Sequence, residues 1–167
     1  MQVVGWVIDL IDKAPKPEKP DQIFIDIVGI GAGVYDRLKE LHYPVVGVNV
    51  GRSPSHVDKF ANLRCELWAR YRDWLEARRG NLPDDEDLID QSASIKFHHA
   101  SNGKLYIETK HEMKKRGLMS PDRADAVVLT FFERRPLTRR KKEMMRKKTN
   151  SEYDEFSRGV HDGICIA

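Results

Sequence analysis

The chain has 167 residues, 33% of them charged, with a formal net charge of +3 at pH 7. That length is enough for one domain with its own core, and the two cysteines, Cys65 and Cys165, a hundred positions apart with no CxxC and no Cys/His cluster, point to neither a zinc site nor a disulfide framework. MQVVGWVIDLID has no basic leader region or small-residue cleavage site, and no apolar run reaches membrane-spanning length, so the expectation is a soluble, intracellular protein with reduced thiols.

Val3, Val4, Trp6, Val7, Ile8, Leu10 and Ile11 recur with helical spacing, which predicts a first helix ending at the proline-rich KAPKPEKPD. QIFIDIVG is almost continuously apolar and β-branched, as in a strand covered on both faces. GAGVYDRLKELHY then opens a second helix and PVVGVNVG a second strand, an order that favours a parallel α/β sheet. From Lys59 to Glu76 the positions Phe60, Leu63, Leu67, Tyr71 and Trp74 mark an amphipathic helix. NLPDDEDLIDQ is a charged connection with one short helix. IKFHH and KLYIE flank the turn SNG and predict a hairpin. HEMKKRG reads as a short helix closed by glycine. SPDRADAVVLTFF predicts the last core helix, with Ser120 as N-cap and Pro121 at its first position.

Beyond Phe132 the composition turns basic. Arg134–Lys148 holds nine Lys and Arg residues, Arg139, Arg140, Lys141 and Lys142 among them, against the single acid Glu143. Such a run points either to a polyanion partner or to a solvated tail.

Two carboxylates stand in apolar company. Asp26 lies near the C-terminal end of its strand, the edge of an open α/β sheet where ligand sites form. Asp125 falls on the helix face shared by Val128, Leu129 and Phe132. A carboxylate in such a place needs a cation, a metal or a hydrogen-bond network, and two acids converging from a strand end and a helix start suit Mg²⁺ or Mn²⁺. Equally consistent with the pattern, Asp26 bonds the amides of the glycine turn and Asp125 pairs with Arg116 or Arg123. The helix dipole accounts for Asp122 in the first turn. GIGAG resembles a dinucleotide-binding turn but lacks the full GxGxxG spacing.

Taken in order, FIDIVGIGAGVYDRLKEL, VVGVNVG, FANLRCELWARYRDWL and LYIETKHEMKKRGLMSPDRADAVVLTF resemble the C-terminal nuclease domain of tailed-phage terminase large subunits, over Gln2 to Phe132. The resemblance implies an α/β fold, an RNase H-like (RuvC-type) mixed sheet with flanking helices, and metal-dependent cleavage of double-stranded DNA in the cytoplasm of a bacterial host. Asp26 and Asp125 would be its catalytic metal ligands, with Asp122 the close alternative, and Mg²⁺ or Mn²⁺ the cofactor. Its further partners would be the small terminase subunit and the portal protein. Lys110, Lys114, Lys115 and Arg116, together with Arg139–Lys142, are candidate DNA contacts or else solvated cations.

In that family the nuclease begins with a hairpin bearing another metal-binding aspartate, and the present sequence starts after it. The expectation is a partial nuclease domain over 1–132, lacking the first strands, and a basic extension over 133–167, weak or inactive alone. No GxxxxGK[ST] phosphate loop occurs. The alternatives are a non-catalytic DNA-binding prophage remnant and an unrelated α/β enzyme acting on small molecules.

Overall fold

The computed structural model describes residues 2–132 as a mixed α/β arrangement of helices and two small sheets. The basic extension, with Arg139, Arg140, Lys141 and Lys142, lies outside the described residues, as does Cys165. Among the described residues no helix is long and apolar enough to cross a membrane. The chain divides into two compact units, one containing Met1–Ile23 and Gly33–Val46, the other Phe24–Ala32 and Gly47–Glu133.

In the first unit, α1 (Gln2–Lys13) forms where the apolar spacing predicts it, yet of its large apolar residues Val4 is buried while Val3, Trp6 and Leu10 are exposed. The prolines follow as a single 3-10 turn at Lys16–Glu18. α2 (Gly31–Glu40) ends before the expected Tyr43. His42 adopts the left-handed conformation (φ 61°), and the amides of His42 and Tyr43 turn back onto Lys39 O and Leu38 O, closing the helix. Leu38 is fully buried.

Strands β1 (Ile23–Asp26) and β2 (Val45–Val48) pair as a two-stranded sheet. Ile23 N donates to Pro44 O, and four residues on Ile27 N donates to Val48 O. Partners advance in the same sense along both strands, so the pairing is parallel.

The second unit is organised by α3 (Leu63–Glu76), which buries Leu63, Leu67, Trp68 and Tyr71. The helix begins four residues later than its apolar spacing implies. Phe60 forms a parallel bridge to Leu105, whose backbone bonds Lys59 O and Ala61 N, and Asn62 then caps α3 by accepting from Cys65 N at 3.0 Å. α4 (Glu86–Ser94) is capped by Asp85. β3 (Phe97–His99) and β4 (Leu105–Ile107) form the expected antiparallel hairpin, with Phe97 opposite Ile107.

α5 (Lys110–Lys115) starts at a Thr109–Glu112 capping box and ends at Gly117, whose φ of +79° supplies the left-handed turn. α6 (Asp122–Leu129) buries Ala124, Val128 and Leu129. Each large apolar side chain buried in this way contributes about 1.5–3 kcal/mol. Tyr71, Trp74 and Phe131 add edge and stacked ring contacts at 5.6–6.3 Å.

Ser120 does not cap α6 as expected. Pro121 occupies the cap position, and the Ser120 hydroxyl donates to Asp122 Oδ1 at 2.6 Å. The helix is capped from outside. Gln91 Oε1 of α4 accepts from Arg123 N at 2.9 Å and Ala124 N at 3.2 Å.

Candidate functional site

Asp26 closes β1, and its Oδ1 accepts from Val28 N at 3.0 Å, a local turn in which an aspartate bonds the amide two residues on. Gly29 follows at φ +77°. Gly31 then packs so tightly that a Cβ there would lie 1.9 Å from Asp26 O. The glycines of GIGAG thus bring the chain back against the strand end that carries the acid.

Asp26, Asp122 and Asp125 all line one cavity of about 250 Å³. Arg64 and Lys110 share its wall with Val50 and with Leu67 and Val128 from the helices behind.

Asp125 is 22% exposed and heavily bonded. Its Oδ1 accepts from Arg64 Nε at 3.2 Å, Arg64 Nη2 at 3.1 Å and Trp68 Nε1 at 3.0 Å. Its Oδ2 lies 3.5 Å from Lys110 Nζ. A carboxylate in an apolar setting has therefore found a cation, as the sequence requires, but not Arg116 or Arg123. Arg116 is drawn to Glu108 (2.9 Å) and Ser94 O (2.8 Å), and Arg123 to Asp85 and Asp87. Local helix spacing cannot show that Arg64, sixty-one residues earlier, is the partner.

Lys110 donates to Asp122 Oδ1 at 2.9 Å, so its ammonium bridges the two acids of α6. Burial works against the charged form of Lys110. The hydrogen bond to Asp122 and the charges of Asp125 and Asp122 outweigh it and hold the ammonium above its ordinary range. The Asp122 carboxyl is held below its usual value by the Ser120 hydrogen bond first and by Lys110 next.

A depressed carboxyl stabilises the fold above its unfolded pKa, and that contribution is lost as pH falls through the lower folded value. The Tm advantage of the native chain over Asp122→Asn should therefore shrink as pH drops below 3.8. With the Asp122 side chain 75% exposed, the advantage amounts to less than about 1 kcal/mol. A pH series of thermal melts checks it.

The donor chemistry suits a hard divalent cation. The Lys110 ammonium already stands between Asp122 and Asp125 as a tethered cation, and the third acid opens onto the same cavity. Among the described residues no three His, Cys, Asp or Glu side chains gather closely enough to enclose an ion, and the Lys110 ammonium stands 3.5 Å from Asp125 Oδ2.

The candidate DNA contacts Lys110, Lys114 and Lys115 on α5 and Arg116 just after it are all exposed, and of these Lys110 and Arg116 are also engaged in the ion pairs above. Arg64, Trp68 and Gln91 escaped sequence reasoning. The one available signal was RCELW, which sets Arg64 and Trp68 one helical turn apart beside the apolar stripe.

No protein-family model matches the chain, and no curated protein matches it. Solved structures do. A mutant nuclease domain of the large terminase subunit gp2 of bacterial virus Sf6, with manganese and beta-thujaplicinol, aligns at 21% identity over 78% of this chain and 71% of its own, with a TM-score of 0.60. A mutant of the same subunit with calcium aligns at 22% identity over the same shares, with a TM-score of 0.63. The Sf6 domain without a named ligand aligns at 21% identity over those shares, with a TM-score of 0.59. The described α/β chain is therefore similar in fold to the nuclease domain of a phage large terminase subunit.

Proposed function

We propose that this chain is the nuclease part of a viral DNA-packaging terminase, an RNase H-like domain that cleaves double-stranded DNA with Mg²⁺ or Mn²⁺. The observation that carries the reading is the meeting of Asp26, Asp122 and Asp125 on one cavity of a fold similar to that nuclease domain. The manganese and calcium named with the Sf6 structures accord with oxygen donors of this kind.

When bound, a divalent cation supplies Lewis-acid stabilisation of the scissile phosphate and lowers the pKa of a water. The chain's residues do the rest. Asp125 and Asp26 present their carboxylates from a helix start and a strand end. Lys110, 56% exposed on a flexible stem, leaves Asp125 and turns its ammonium to the phosphate. Lys114 and Lys115 hold the DNA backbone without reading bases. The small terminase subunit and the portal protein belong to the same proposal as partners.

The test is Mn²⁺-dependent nicking of plasmid DNA alongside Mn²⁺ binding followed by electron paramagnetic resonance. Asp26→Ala and Asp125→Ala should each reduce nicking at least about a hundredfold and weaken Mn²⁺ binding, with a smaller effect from Asp122→Ala. Nicking and binding untouched by either of the first two substitutions would overturn the assignment. A second reading, DNA binding without chemistry, is favoured by one observation: a lysine bridges the acids and no three ligands enclose an ion among the described residues. Salt-sensitive DNA binding with no Mn²⁺ uptake would decide for it.

A further inference from the structure

Two aromatic rings and two arginines meet at a second cavity, which none of the three acids lines. It holds about 610 Å³ and is lined by Arg70, Asp73 and Trp74 of α3, Arg79 of the turn after it, and Thr130 and Phe131 just beyond α6. Small-molecule sites span roughly 300–1,000 Å³. The turn fixes one wall. Arg78 takes the left-handed conformation (φ 49°), which side chains other than glycine, Asn and Asp seldom adopt, and it reverses the chain so that Arg79 N donates to Trp74 O at 3.3 Å. Gly80 then packs so closely on the indole that a Cβ there would overlap Trp74 Cζ2. On its other contacts the indole stacks with Tyr71 and stands at 70° to the Phe131 ring, centroids 5.7 Å apart. Trp74 and Phe131 therefore form an angled apolar wall, half-buried and held in place.

The charges on this wall leave a positive excess. Asp73 accepts from Arg72 Nη2 at 2.7 Å, and Arg70 bonds Glu66 and Phe131 O, whereas Arg79, exposed, has no ion-pair partner among the described residues. Two helices end beside the cavity, and free carbonyls there would repel an anion. They are already taken: Asp73 O, Leu75 O and Trp74 O by the amides of Ala77, Arg78 and Arg79, and Phe131 O by Arg70. We propose that this cavity binds a nucleotide, its base packed on Trp74 and Phe131 and its phosphate on Arg79. Rings alone would suit any apolar plane, and an arginine alone any anion. Together they select a planar ring that carries negative charge. Neither the three acids nor a metal ion takes part. Such a unit comes as a free nucleotide or as an unpaired residue of a nucleic-acid strand, since bases stacked and paired in a duplex cannot enter without flipping out.

The experiment titrates the full chain with deoxyadenosine monophosphate and deoxyadenosine by calorimetry, and with a short fluorescein-labelled single strand by anisotropy. Wild type is compared with Arg79→Gln, Trp74→Leu and Lys19→Gln, the last removing an equal charge from an exposed position in the other unit. Circular dichroism establishes that each variant is folded. Arg79→Gln should weaken the monophosphate about tenfold and leave the nucleoside unchanged, Trp74→Leu should weaken both about tenfold, and Lys19→Gln should change neither. If Trp74→Leu fails to fold, the exposed Arg79→Gln decides. Single-strand binding that responds to these variants without uptake of the monophosphate assigns the site to a strand, and monophosphate uptake that the strand does not compete away assigns it to a free nucleotide. Binding of neither overturns the proposal. So does binding that Arg79→Gln leaves unchanged, or that Lys19→Gln weakens as much.

Discussion

Gly31→Ala is expected to disable the candidate site while Gly33→Ala, two residues on in the same helix, leaves it intact. A methyl group at position 31 would lie 1.9 Å from Asp26 O and 3.1 Å from the same carbonyl carbon. Both are backbone atoms, so no side-chain rotation relieves the overlap. Either the end of β1 moves or the first turn of α2 opens, and both displace Asp26. A shift of about 1 Å at a reacting centre costs on the order of a hundredfold in rate, so Mn²⁺-dependent nicking should fall by that much. At Gly33 nothing lies within 4 Å of an added Cβ, and alanine there should stabilise the helix by up to about 1 kcal/mol. Paired nicking assays and thermal melts of the two variants separate a steric cause from a general intolerance of the glycine-rich turn.

Glu66→Ala should produce the largest loss of stability from a residue outside the cavity. The carboxylate is 1% exposed, accepts from Ser55 N at 2.6 Å and pairs with Arg70 at 2.9 Å, and Arg70 also donates to Phe131 O. Truncation strips the Ser55 amide of its acceptor, removes the carboxylate from Arg70 and leaves a void in place of a buried side chain. Breaking a buried pair from one side costs about 3–5 kcal/mol, and the 28% exposure of Arg70 places the expectation at the lower end, about 3 kcal/mol. Glu66→Gln retains an oxygen for Ser55 and should cost about half as much. Urea unfolding should show a lower midpoint at unchanged slope for both variants.

The elements that local chemistry specifies were legible in the sequence. The strand–glycine turn–helix around Asp26, the hairpin about SNG, and the glycine closing α5 all depend on neighbours in the chain, and each formed within a few residues of expectation. Boundaries moved where a distant partner intervened. Phe60 continues the apolar spacing of α3, yet it stays outside the helix as a bridge to Leu105, more than forty residues away, which takes the hydrogen bonds of its neighbours Lys59 and Ala61. The inward face of Asp125 was legible from Val128, Leu129 and Phe132, whereas its partners were not. Arg64, Trp68 and Lys110 come from other elements, and nothing in periodicity ranks Arg64 above the nearer Arg116 and Arg123. Nor does a glutamate within an apolar helical stripe announce that it is buried, as Glu66 is.

The glutamine cap on α6 bears on how a nucleic-acid backbone can be met here. The first turn of a helix ordinarily offers free N–H groups and a positive dipole end, a ready seat for a phosphate. In this chain Gln91 already takes the amides of Arg123 and Ala124, and the acids Asp122 and Asp125 fill the same turn with negative charge. That seat is closed to anions. A phosphodiester approaching the cavity must be neutralised by mobile positive charge, from ammonium groups or metal ions, so its attraction should weaken steeply with ionic strength instead of resting on fixed backbone dipoles.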